Sequence, residues 1–187
     1  MTKKDLRSLF REKRLALSPF FVESTSHLII DLIVKNVNFE NKVCSVFLPI
    51  QRLNEPITYP LINLIKNQGG KVAVSISDFN SRRMSHVIFE SEQQLVLNSY
   101  DILEPTYGTP ISNNELDIVF VPLLACDSSG FRVGYGKGFY DQLISELKPT
   151  AHTIGISMFD ELVSIDDVEK HDKAIQSLAT PKRFLNF

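Results

Sequence analysis

The stretch that decides the fold begins at Asp117-Ile118-Val119-Phe120-Val121-Pro122-Leu123-Leu124-Ala125-Cys126. It continues through Gly130-Phe131-Arg132-Val133-Gly134-Tyr135-Gly136-Lys137-Gly138-Phe139-Tyr140-Asp141. An apolar run of strand length leads into a loop holding four of the chain's eight glycines, and residues 138–147 then take up a helical pattern. Backbone this rich in glycine can approach a ligand closely and turn its N–H groups inward. Arg132 and Lys137 add two cations to the loop, and Asp141 adds a carboxylate at its far end. Those groups suit a nucleotide phosphate and its metal ion.

Outward from this loop, strands alternate with helices. Residues 3–17 predict a helix with Thr2 as N-cap and Asp5 in its first turn. Ser18-Pro19 closes it and opens a second helix, which runs to about Lys35 with Leu28, Ile29, Leu32 and Ile33 as its apolar stripe. Residues 43–48 read as a buried strand, and 57–67 as a helix ended by Gly69-Gly70. Strands are expected at 72–74, 85–89, 117–121, 153–157 and 175–179, and an irregular loop at 100–113. The order argues for a single α/β domain over residues 1–187. Its sheet is mostly parallel with helices on both faces, a three-layer, Rossmann-like arrangement. Ligands of such sheets lie beyond the carboxyl ends of the strands, where the glycine run falls.

Bulk composition narrows the function classes. The chain has 187 residues, 43% apolar and 22% charged, with a net charge of −2, so no global field steers it to nucleic acid. Residues 1–14 are the exception, with six cations against two carboxylates. Cys44 and Cys126 sit in apolar runs and read as buried free thiols. No secretory leader or membrane-length apolar run is visible, so the expectation is a cytoplasmic protein that works off the membrane. Two familiar nucleotide loops fail to match. A P-loop requires Ser or Thr after Gly-Lys, and Gly138 stands there. A dinucleotide fingerprint requires Gly-x-Gly-x-x-Gly, and Gly134, Gly136 and Gly138 are spaced by two. Taken alone, Lys3 and Arg7 fit a solvated helix face, Glu55 a helix-start acid, His171 and Asp172 surface groups, and the aromatics of the loop a core. Asp127 fits a turn cap with Ser128-Ser129.

Val121-Pro122-Leu123-Leu124-Ala125, Asp127, Gly130 and Arg132 through Asp141 resemble the signature of the 5-formyltetrahydrofolate cyclo-ligase family. Lys3-x-x-x-Arg7, Glu55-Pro56-Ile57-Thr58, Glu104-Pro105 and His171-Asp172 fall in the family's order. The resemblance implies ATP-dependent cyclisation of 5-formyltetrahydrofolate to 5,10-methenyltetrahydrofolate through phosphorylation of the formyl oxygen, with ADP and phosphate released. It implies ATP contacts at Lys3, Arg7, Arg132, Gly134, Tyr135, Gly136, Lys137, Gly138, Phe139 and Tyr140, with Arg132 and Lys137 catalytic. Folate contacts would fall at Ile50, Glu55, Tyr135, Gly136, Lys137, Gly138 and Phe139, and Mg2+ on Asp141 and Asp172. The implied partner is a reduced folate, with no nucleic acid and a monomer as the working unit. Ser75, Asp101, Cys126 and Gln142 depart from the pattern, and Ser75 and Cys126 bear on the folate pocket. The competing readings are a non-catalytic folate or nucleotide binder of the same fold, and a related ATP-dependent ligase acting on another small substrate.

Overall fold

The computed structural model describes residues 1–187. Helix α1 (Lys3–Leu15) is capped by Thr2, whose side chain accepts the Asp5 N–H, and α2 (Pro19–Asn36) by Ser18, with proline in the first turn. Then come β1 (Val43–Ser45), α3 (Tyr59–Asn67), β2 (Lys71–Asp78), β3 (Arg83–Ile88), β4 (Leu95–Leu97), β5 (Leu103–Pro105) and β6 (Pro110–Ile111). The chain continues through β7 (Ile118–Pro122), β8 (Ala125–Asp127), β9 (Arg132–Val133), α4 (Phe139–Glu146), β10 (His152–Ile156), β11 (Leu162–Val163), β12 (Ser177–Ala179) and β13 (Phe184–Asn186).

The main sheet runs β13-β12-β10-β7-β1-β2-β3-β6. Its five central strands, from β12 to β2, are parallel, and the antiparallel strands β3, β6 and β13 close the edges. Side chains alternate across it, as the strand period of two requires. Ile118 and Phe120 of β7 face α2 and α3 together with Cys44, Val72 and Val74, while Val119 and Val121 face Leu143 of α4. Both faces are therefore covered by helices. After β1 the chain steps to β2 on one side; it later returns to β7 on the other. The gap beyond the ends of β1 and β7 is thus a topological switch point, where such sheets hold ligands.

Several expectations change. The strand predicted at 43–48 is regular only through Ser45; Val46 still donates its N–H to the Ala73 carbonyl at 3.0 Å, and residues 47–48 run on, still buried, toward the switch point. In α2, Leu28 is 53% exposed; the inner stripe is Val22, Ser26, Ile29 and Ile33, a register one residue round from the predicted one. The irregular loop 100–113 contains β5, paired to β4, and β6. Gln94 organises that region: its side chain accepts the Glu90 N–H at 2.7 Å and donates to the Ile88 and Tyr107 carbonyls. The glycine run is not one loop, since the β8–β9 hairpin occupies its first half. Gly130 turns that hairpin at φ +82, and a Cβ there would collide with the Ile175 carbonyl. Asp127 caps the turn by accepting the Ser129 and Phe131 N–H groups, as expected, at 2.8 and 2.9 Å. Cys44 and Cys126 are free and buried, and burial pushes each thiol up to about 12. No single helix is long and apolar enough to cross a membrane.

Candidate functional site

A cleft of about 1010 Å³ opens at the switch point. That lies at the upper end of the range for small-molecule sites and leaves room for two ligands. Every residue singled out as a nucleotide, folate or metal contact lines it: Lys3, Arg7, Ile50, Glu55, Arg132, Gly134 through Asp141, and Asp172. Three elements bring them together.

The first is α1. Its inner side chains Leu6 and Phe10 pack on Leu124, Ala125 and Val133 of the β8–β9 hairpin, and Phe10 lies edge-on to Phe159 at 5.5 Å. Lys3 and Arg7 share one face at i and i+4, from which Arg7 reaches the loop that follows β9 and Lys3 reaches Glu169 and Asp172. Arg7 Nε donates to the Gly134 carbonyl at 2.8 Å, and its guanidinium lies flat against Gly136. Lys3 Nζ lies 2.8 Å from Asp172 Oδ2 and 3.5 Å from Glu169 Oε1.

The second is the segment 134–138 and the start of α4. Gly136 (φ +78) and Gly138 (φ +76) take the left-handed conformation, and Gly138 caps α4. Arg132 is held by Asp141 Oδ1 at 3.0 Å and by the Lys173 carbonyl. Lys137 is exposed and has no acidic partner. The four predicted phosphate cations are therefore in unlike states: Lys3 and Arg132 are paired to the two predicted metal carboxylates, Arg7 is fixed to backbone, and Lys137 is free.

The donor set bears on a metal. No three carboxylate, imidazole or thiol groups converge. Asp141 Oδ1 accepts from Arg132 and the Lys173 N–H, and Asp172 Oδ2 from Lys3 and the Glu169 N–H, so each carboxylate keeps its second oxygen without a hydrogen-bond partner. Magnesium uses one or two carboxylates with waters and phosphate oxygens, so this pair fits that ion in company with a phosphate. Burial pushes the Asp172 carboxyl up, but Lys3 and the Glu169 N–H outweigh it and the net shift is downward, which keeps the group ionised.

The third element is the segment after β1. Glu55 is 3% exposed. Its Oε2 accepts the Ile50 N–H at 2.8 Å, and its Oε1 accepts from the Tyr135 hydroxyl. Burial raises its pKa against the pull of Arg14, Tyr135 and the Ile50 N–H. Thr58 fixes the segment by donating to the Phe47 carbonyl at 2.6 Å. Tyr140 is half-buried, and burial, with Glu55 nearby, pushes its phenol up.

The opposite wall went unread in the sequence. Phe79, at the β2–β3 turn, stacks on Tyr100 at 4.1 Å and meets Phe139 edge-on at 5.2 Å. Arg52 donates to the Tyr100 carbonyl at 2.9 Å. Glu104 ties this wall to the sheet by accepting the Ser77 N–H and the Asn98 amide, both at 2.8 Å. No periodicity marks Phe79 or Tyr100, because both lie in turns. Arg14 was missed too, although its spacing of four from Phe10 and eight from Leu6 places it on the buried stripe of α1. Of the four departures, Ser75 and Gln142 line the cleft. Cys126 is buried beneath α4 and does not line it, which corrects the expectation that it bears on the pocket. Asp101 adopts φ +55, a conformation that aspartate tolerates better than most residues and glycine adopts freely.

The chain matches the model of the 5-formyltetrahydrofolate cyclo-ligase family over residues 1–181. It is 27% identical over 190 residues to the 5-formyltetrahydrofolate cyclo-ligase of Mus musculus, covering 94% of this chain and 92% of that one. It is 28% identical over 132 residues to the enzyme of the same name from Escherichia coli K12, covering 67% of this chain and 71% of that one. The solution structure of Aquifex aeolicus 5,10-methenyltetrahydrofolate synthetase superimposes with a TM-score of 0.79 at 24% identity, covering all of this chain and 93% of the other, a likeness of fold.

Proposed function

We propose that this chain, which belongs to the 5-formyltetrahydrofolate cyclo-ligase family, closes 5-formyltetrahydrofolate to 5,10-methenyltetrahydrofolate at the switch-point cleft, using ATP with Mg2+. The observation that carries the reading is that one cleft holds paired and unpaired cations at a glycine loop and a buried carboxylate, Glu55, at its other side. In the proposal the formyl oxygen attacks the γ-phosphorus and ADP departs. The neighbouring aniline nitrogen then attacks the activated formyl carbon and loses its proton, and phosphate leaves with the former formyl oxygen.

No side chain needs to form a covalent bond; the protein contributes position and charge. Arg132 would hold phosphate oxygens with its planar fork, and Lys137, free of acidic partners, would follow the transferring phosphoryl as a point charge. Arg7 and Lys3 would hold the rest of the triphosphate from α1, with the N–H groups of 134–140 completing the cradle. Phe139 and Tyr140 would bound the nucleotide, and Ile50, Tyr135 and Glu55 the folate, with Glu55 accepting hydrogen bonds from the pterin. Asp141 and Asp172 would hold Mg2+, which supplies charge neutralisation at the phosphates. Lys3 and Arg132 already neutralise those carboxylates, so ATP would exchange partners within a balanced set rather than enter a bare one. We further propose a single domain acting as a cytoplasmic monomer on a reduced folate, without nucleic acid or membrane.

Purified protein with ATP, magnesium and 5-formyltetrahydrofolate is expected to develop the methenyl product's near-ultraviolet absorbance, with one ADP released per product. ATP-dependent binding without ADP release would instead indicate a binder. ADP release only with another small acid would indicate a different ligase.

A further inference from the structure

The inner face of α1 carries Leu6, Phe10 and Arg14 at a spacing of four, and all three are buried, Arg14 to 1% exposure. A guanidinium is an expensive group to bury on an apolar stripe and has to be compensated. Here the compensation runs in one direction. Arg14 Nε donates to the Leu53 carbonyl at 2.8 Å, and Nη2 donates to the Tyr135 hydroxyl oxygen. Tyr135 in turn donates to Glu55 Oε1. Nη1 is buried without a partner. A guanidinium can only donate. The phenol oxygen must therefore accept from it, which leaves the single phenolic hydrogen for Glu55 and polarises that bond. The same helix end also holds the backbone beside Glu55: Asn54 Nδ2 donates to the Arg14 and Leu17 carbonyls at 3.0 and 3.1 Å, with Asn54 at φ +49. Tyr135 and Glu55 line the cleft, whereas Arg14 does not.

We infer that Arg14, acting through Tyr135 and touching neither substrate, holds Glu55 ready as the hydrogen-bond acceptor for the folate and is a positioning residue for that half of the site. The inference rests on the proposed function. Four charged or titratable groups face Glu55: Arg14 from α1, Arg52 from the turn after β1, Tyr135 from the glycine loop and Tyr140 from α4. Burial drives Glu55 toward its protonated form, and Arg14 is the foremost group opposing that drive. Without Arg14 the carboxyl would take up a proton at higher pH and lose its acceptor role. The ATP end would be untouched, because Lys3 and Arg7 occupy the earlier turns of the helix and make separate contacts.

The test compares Arg14→Gln and Arg14→Lys with the wild-type chain, measuring KM for each substrate and the pH profile of kcat/KM for the folate. Arg14→Gln is expected to raise the folate KM roughly tenfold or more. It should also move the acid limb of the profile to higher pH and leave the ATP KM within about twofold. Arg14→Lys, which keeps the charge, should return the limb toward wild type. An unshifted limb with an unchanged folate KM in Arg14→Gln overturns the inference. So does an equal rise in both KM values accompanied by the same fall in melting temperature in the two variants, which is the signature of packing alone. If Arg14→Gln does not fold, Tyr135→Phe cuts the same connection while keeping the cation. The limb should again move to higher pH, and an unmoved limb overturns the inference. Wild-type protein that turns over while these variants show no shift refutes the Arg14 role only. Wild-type protein without turnover refutes the functional reading and this role with it.

Discussion

Gly136 has two reasons to be glycine: a φ of +78, and the Arg7 guanidinium 3.1 Å from where a Cβ would stand. A methyl group there would incur left-handed strain of about 1–2 kcal/mol and push Arg7 out of place. Gly136→Ala is therefore expected to lower the melting temperature, the strain corresponding to roughly a 5- to 30-fold fall in the folded-to-unfolded ratio, and to raise KM for ATP because Arg7 is displaced. Gly134 has an ordinary φ and no atom within 4 Å of a Cβ, so Gly134→Ala should melt like wild type. Thermal melts and ATP kinetics of the two variants check the contrast; equal melting temperatures would contradict it. At this scale the sequence carried the cations and glycines of the loop well, since their chemistry is local. It did not carry the pairing of Lys3 with Asp172 or Arg132 with Asp141, because those partners lie 169 and nine residues apart and meet only after folding. Arg14 was hidden differently: a charge on an apolar stripe looks like a helix edge until its partners are known.

Strand β3 supplies a pH-dependent term that has nothing to do with the cleft's chemistry. His86 is buried, with Nδ1 2.7 Å from Asn113 Oδ1 and Nε2 2.9 Å from Ser45 Oγ. Asn113 also donates to the Met84 carbonyl and to Glu146 of α4, so its Oδ1 accepts from His86, and Nε2 accepts from Ser45. Burial holds the imidazole below its ordinary range against the opposing pull of Asn113 and Glu146. As pH falls below about 6.5 the unfolded chain protonates this histidine before the folded one does, and stability drops by up to about 1.4 kcal/mol per pH unit across that window. His152 is shifted by burial in the same direction. Melting temperature is expected to fall between about pH 6.5 and 5 in the wild type and to fall less steeply in His86→Gln. Identical slopes would contradict the assignment. Elements with a strong period or a cap were legible: both N-terminal helices, β7 and α4. The two-residue strands β6, β9 and β11 were not, because a partner elsewhere in the chain, and not their own sequence, makes them strands.

Across the whole molecule, α1 acts as a clasp. It belongs to neither face of the main sheet, resting on the β8–β9 hairpin while carrying Lys3 and Arg7 to one end of the cleft and bracing Glu55 at the other through Arg14. Phe10→Ala is expected to destabilise the fold by about 3–5 kcal/mol. Because the helix would sit less firmly, KM for ATP should rise in the folded fraction; calorimetry alongside ATP kinetics would check both. The alternation of elements was enough to expect a parallel core with helices on both faces. The order of its strands was not legible, because crossovers and antiparallel edges leave no periodic trace. The switch point between β1 and β7, which locates the cleft, depends on that order.

The central claim is that phosphate and folate meet in one cleft from opposite ends. Steady-state kinetics of Arg132→Ala and Glu55→Ala, each against both substrates, test it most directly. The account predicts that Arg132→Ala lowers kcat and raises KM chiefly for ATP, and that Glu55→Ala raises KM chiefly for 5-formyltetrahydrofolate, each by roughly tenfold or more. Unchanged kinetics in either variant, or the reverse assignment of substrates, would contradict it.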